Sequence, residues 1–109
     1  MGDTNFQATA WNNGQHHISG AGYGLRVGAQ NRDQFFHRSW NHVTLHLQGY
    51  DEPVNVTITP SFWRRCSELR SADIGRWLIQ KRYAPWEKGN PPQFRITQKG
   101  GKVFEVAAS

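Results

Sequence analysis

The chain has little with which to cross-link itself: it holds one cysteine, Cys66. A lone cysteine forms no internal disulfide, which fits a reducing compartment. No apolar run approaches the ~20 residues that a membrane-spanning helix needs, so no membrane partner is expected. The opening residues, MGDTNFQATA, lack a basic stretch followed by an apolar core. No secretory leader is expected, and a cytoplasmic, intracellular location follows. Only eight acids stand against 13 Lys and Arg, so paired carboxylates for acid–base work are scarce. Asp51 and Glu52 are adjacent, but in a stretch (GYDEP) that reads as a turn.

Other catalytic and metal patterns are missing too. His42 and His46 share a strand face, but four residues apart at ~3.3 Å each places them roughly 13 Å apart, too far to chelate one ion. His16 and His17 are adjacent in a loop and supply one comfortable ligand at most. Cys66 has no CxxC neighbour, so no zinc site and no cofactor are expected. Arg64 and Arg65 flank Cys66 and could lower a thiol pKa. A lone cysteine nevertheless reads first as a small buried hydrophobe. GAGYG (20–24) precedes a strand instead of opening a helix, so it lacks the geometry of a phosphate loop. The chain is not expected to be an enzyme.

What is present points to a folded domain. In 109 residues there are five Trp, six Phe and three Tyr, a supply of large apolar side chains that disordered chains lack. The length suits one domain, 1–109, able to bury a core without disulfides or metal. Net charge is +5, but unevenly spread: residues 1–59 sum to −1 and residues 60–109 to +6. A basic half points to a polyanionic partner. Arg64, Arg65, Arg70, Arg76, Lys81 and Arg82 are expected to form a contiguous positive surface.

Residues 1–22 are polar and rich in Gly and Asn, with Trp11 and Ile18 as the main apolar points, and read largely as loop. Residues 23–27 read as a short strand with Leu25 and Val27 inward and Arg26 outward. Residues 29–36 read as a short helix, with Arg32 and Asp33 outward and Phe35 or Phe36 on the core. Strict alternation in 41–48 (Val43, Leu45, Leu47) and 54–59 (Val54, Val56, Ile58) predicts a hairpin with one wet face. Residues 61–69 fit a helical turn or an irregular arm. Ser71 is placed as the N-cap of a helix over 72–81, with Ile74, Trp77 and Leu78 on its apolar stripe. Phe94 and Ile96 face inward from a strand over 93–97. Gly100-Gly101 turns the chain into a last strand over 103–106. The fold class is mostly β (α+β): a small open barrel or pseudobarrel with two short helices, since closure removes exposed strand edges.

The order of these elements resembles the DNA-binding pseudobarrel superfamily, that of plant B-three transcription-factor domains and restriction-endonuclease effector domains. The likeness covers about residues 12–106 and is one of pattern. GYGLRVGAQNRDQFF is similar to the family's strand, short step and helix, with Val27-Gly28 where Ile-Pro is usual. WNHVTLHL and PVNVTIT look like the next two strands. DIGRWLIQKRYAPWEKGNPPQFRIT resembles its later helix and closing strand, with Gly89-Asn90 for a Gly-Asp step, and GGKVFEV would be the last strand. The resemblance implies two arms gripping the major groove: Asn13, Gln15, His16 and His17 in the first, Arg64 and Arg65 in the second. Arg76, beside Trp77, adds to these, and Arg70, at the end of the 62–70 arm, joins them through the expected positive surface, since Arg pairs with phosphate or reads guanine. The expected partner is nucleic acid, with duplex DNA favoured. The alternative is a small protein-interaction or adaptor domain that sets its basic face on an acidic protein partner. Target sequence and oligomeric state are not legible.

Overall fold

The computed structural model describes residues 4–109. Its strands are β1 (Asn5–Asn12), β2 (Tyr23–Arg26), β3 (His42–Leu47), β4 (Val54–Thr57), β5 (Glu68–Arg70), β6 (Gln93–Gly100) and β7 (Val103–Ala108). Its helices are α1 (Ala29–Phe35), α2 (Pro60–Arg64) and α3 (Ala72–Gln80). The strands form one sheet in the order β4-β3-β7-β6-β1-β2-β5. Neighbours run antiparallel except β3 and β7, which are parallel. The sheet curls into a nearly closed barrel whose open seam lies between its end strands, β4 and β5.

The mostly β, open-barrel expectation holds, with two corrections. Three short helices are described, not two, because Pro60 opens α2 at its first position, where a missing N–H costs nothing. Within the described part of 1–22 the chain also holds a strand that the loop reading lacked, β1 at Asn5–Asn12, which lies inside the sheet between β6 and β2. Its inward residues are Phe6, Ala8 and Ala10, all buried. Alanine has low strand propensity, so the alternation there is weak to the eye. Pairing on both sides makes the strand anyway.

The central hairpin follows its pattern. Val43 faces Val56 and Leu45 faces Val54 across the ladder, and all four are buried. On the outer face the Thr44 hydroxyl donates to Asn55 Oδ1 at 2.8 Å. Ile58, expected in the core, is only partly buried, because the strand ends at Thr57 and the chain turns into α2. Phe35 and Phe36 are both buried, with Phe36 stacked on Phe104 at 5.0 Å. Arg32, expected outward, turns inward: its side chain is 12% exposed and its Nη1 donates to the Phe62 carbonyl. That bond answers a carbonyl at the end of α2.

Helix α3 is defined at both ends. Ser71 Oγ accepts from the Asp73 amide, the expected cap. At the other end the Tyr83 amide donates to the Leu78 carbonyl and the Arg82 amide to that of Ile79. Arg82 thereby takes the left-handed position (φ 64°) usually given to glycine. Ile74, Trp77 and Leu78 are fully buried. Trp77 packs on Phe94 at 5.2 Å and on Tyr83 at 5.7 Å, and its indole N–H donates to the Gln48 carbonyl at 2.8 Å. Replacing Trp77 by Ala removes the ring and leaves that carbonyl without its partner. The expected cost is about 3–5 kcal/mol, read as a lowered urea midpoint at unchanged slope.

Candidate nucleic-acid interface

The first candidate arm is a compact loop over residues 13–22. The Asn13 amide donates to the Gly22 carbonyl and closes its base. Asn12 Oδ1 accepts from the Gly14 amide and Asn13 Oδ1 from the Gln15 amide, side-chain turns typical of asparagine. The loop rests on α3 by a backbone approach so close that a Cβ on Gly75 would collide with the Gly20 carbonyl oxygen. Gly20 itself has φ +87° and no room for a side chain against Ala72 and Arg76.

His16 is a pin in this loop. Asn12 Oδ1 is already taken by Gly14, so its amide N–H faces His16 Nε2 at 2.7 Å. Nε2 is then the acceptor, which leaves the proton on Nδ1 to donate to the Tyr23 hydroxyl at 2.7 Å. The ring also stands edge-on to Trp86 at 4.8 Å. With both nitrogens engaged, His16 holds the loop to the barrel and is not free for a base edge. His17 bonds locally to Ser19. Asn13, Gln15 and His17 are exposed.

The second arm runs from α2 into β5. Arg64 and Arg65 are exposed, and among the described residues neither is in an ion pair. Arg70 stands where the arms meet. It lines one hollow with Trp11, Asn13, Gly22 and Tyr23, on the loop side. It also lines a second, at the seam, with Thr57, Ser61, Cys66 and Glu68.

Two side chains that the sequence did not single out set Arg70 in place. Trp11, Gly24 and Arg70 lie level across β1, β2 and β5. Gly24 has no side chain, so the Trp11 ring reaches over it to within 4.4 Å of the Arg70 guanidinium. Glu68, its side chain 5% exposed, accepts from Arg26 and Arg70 at 3.1 Å each. The signal was available in the i, i+2 spacing of Glu68 and Arg70 on one strand face. Residues 61–69 read instead as helical turn or irregular arm, because three-residue β5 is too short to alternate visibly.

The six basic residues expected to form one positive surface do not do so without interruption. Arg70 is bonded to Glu68. Arg76 donates to Asp73 and to the Ser19 carbonyl. Lys81 reaches Gly49, at the turn that carries Asp51 and Glu52. Among the described residues no three of His, Cys, Asp and Glu gather as a metal cluster, and no helix is long and apolar enough to cross a membrane. Comparison with known proteins finds no family model, no curated protein and no solved structure that matches the chain.

Two variants probe how the loop is held. Gly75→Ala forces a Cβ into the Gly20 carbonyl and should cost about 1–3 kcal/mol, with faster amide exchange concentrated in residues 13–22. Asp73 gives a pH signature. The Arg76 hydrogen bond, supplemented by the Tyr50 hydroxyl, holds its carboxyl below the usual carboxylate range. A depressed folded-state pKa stabilises above the unfolded value, near 4, and that stabilisation is lost as pH falls through the lowered value. Asp73→Asn should therefore lower the urea midpoint at pH 7. The gap to the unsubstituted protein should close as pH falls through that lowered value.

Proposed function

We propose that the protein binds nucleic acid, duplex DNA in particular, by seating the sugar-phosphate backbone and a groove edge between the 13–22 loop and the α2–β5 segment. The observation that carries this is that Arg70, the last residue of the α2–β5 segment, lines one hollow with Asn13 and Gly22 of the loop, while Arg64 and Arg65 of the same segment are exposed and, among the described residues, in no ion pair. Arg64 and Arg65 serve as phosphate ligands. Gln15 and Asn13 are the exposed amides of the loop, and an amide suits adenine N6/N7. His16 and Arg76 support the loop and do not touch the ligand.

Fluorescence anisotropy with random-sequence and fixed-sequence duplexes at several salt concentrations tests this. Affinity should fall steeply with salt, because each neutralised phosphate releases counterions. Replacing Arg64 and Arg65 together by Ala should weaken binding to every sequence and flatten the log–log salt slope by up to ~2 units. Gln15→Ala should reduce discrimination between sequences and leave the slope alone. A protein that ignores duplex DNA at low salt yet retains an acidic protein in the same buffer would refute the proposal in favour of an adaptor role.

A further inference from the structure

Arg38 lies in the sequence half whose net charge is −1, yet the fold carries it to the second arm. It follows α1 in an exposed segment and, among the described residues, is in no ion pair. Its guanidinium carbon sits 4.7 Å from the centre of the Trp63 indole. Trp63 belongs to α2 and immediately precedes Arg64 and Arg65. The indole is well anchored. It stands edge-on to Phe62 at 5.5 Å, and Phe62 is buried against Phe36 at 5.2 Å.

The nearby acid is already answered. Asp33 accepts from Arg32 Nε at 3.0 Å, and Arg32 is further committed to the Phe62 carbonyl. Two guanidinium groups lie over the Trp63 ring, Arg38 at 4.7 Å and the committed Arg32 at 5.6 Å. Arg38, and Arg64 and Arg65 that follow Trp63 in the chain, are paired to no carboxylate among the described residues.

A guanidinium has two separable chemistries. Its flat face stacks on an aromatic ring, while its N–H donors lie in the plane and point from its edge. Held over the Trp63 ring, Arg38 is still exposed and has N–H donors to offer an anion. The contact also restricts a long, mobile side chain before any ligand arrives, which lowers the ordering cost of binding. A phosphate met along the guanidinium edge can be held by two parallel hydrogen bonds. Arg70 on Trp11 is built differently, because part of its edge is spent on Glu68.

We infer that Arg38, laid on Trp63 beside Arg64 and Arg65, is a phosphate ligand, and that these three arginines form one patch that grips the phosphodiester backbone. Trp63 is the positioning residue. The inference rests on the nucleic-acid function proposed above and names where the backbone of the ligand runs.

The test uses the full chain and two probes: random-sequence duplex DNA, followed by anisotropy across salt, and inorganic polyphosphate, followed by the NMR signals of arginine Nε–H groups. Arg38→Ala should reduce DNA affinity and flatten the salt slope by ~0.9, the share of one phosphate contact. Arg95→Ala, an exposed arginine on β6, should leave the slope unchanged. Trp63→Leu keeps every charge, so affinity should fall with the slope nearly intact, a split that simple loss of a cation does not produce. Unchanged affinity and slope in Arg38→Ala, with DNA still bound by the unsubstituted protein, would overturn the patch and leave the nucleic-acid function standing. If DNA fails to bind but polyphosphate moves the Arg38, Arg64 and Arg65 signals together, the patch stands and the nucleic-acid function falls. If neither probe moves Arg38, the patch is overturned. Arg38 is exposed, so its variant folds even where Trp63→Leu does not.

Discussion

The structure depends on β1 pairing on both sides. Its first part is bonded to β6, from Asn5 opposite Thr97 to Thr9 opposite Gln93. Its second part is bonded to β2, from Thr9 opposite Arg26 to Asn12 opposite Tyr23. Without it the sheet would split into β4-β3-β7-β6 and β2-β5, and neither piece could close around a core. Two inward positions of β1 are alanines set opposite larger residues: Ala8 faces Phe94 and Ala10 faces Leu25. Small against large across a strand pair is how a narrow barrel fills its interior without strain. The same residues that make β1 inconspicuous therefore make it fit.

That strand also organises the outer surface. Trp11 projects outward from its end, reaches over Gly24 and steadies Arg70 at the junction of the two arms. The arginines divide by what their donors already hold. Arg32 and Arg76 are tied to carboxylates and to backbone carbonyls, and they act as clips between elements. Arg26 and Arg70 share the buried Glu68. Arg38, Arg64 and Arg65 carry charge that no described acid offsets. The basic half of the sequence is thus a poor map of the basic surface: position in the chain counts for less than which carboxylate sits within reach.

Much of the barrel was legible. The β-branched alternation of Val43–Leu47 and Val54–Ile58 located the central hairpin, and the 74, 77, 78 stripe located α3. Both signals are strong because burial on one face imposes a period on the chain. The 13–22 loop was legible as a loop, through its glycines and asparagines, but not as a pinned one. Nothing local announces that His16 will meet Tyr23 and Trp86, or that Gly20 and Gly75 will touch. The candidate site was legible only in part. Arg64 and Arg65 stood out by type and order, and both are exposed. Arg76 and His16 had the right type but are spent on internal bonds. Trp11, Glu68 and Arg38 were passed over because each has a partner 25 to 59 residues away in the chain, Arg70, Arg26 and Trp63 respectively.

The sequence by itself determined composition, the periodic strands, the capped helix and an excess of positive charge, since each of these depends on residues close together in the chain. Tertiary structure alone decided that β1 is a central strand, that the two arms share Arg70, and which arginines keep their donors free. Those outcomes turn on register and close approach between distant segments. A hydrogen bond or a stacked guanidinium exists only where the fold brings both partners within a few ångströms, and no local pattern encodes that distance.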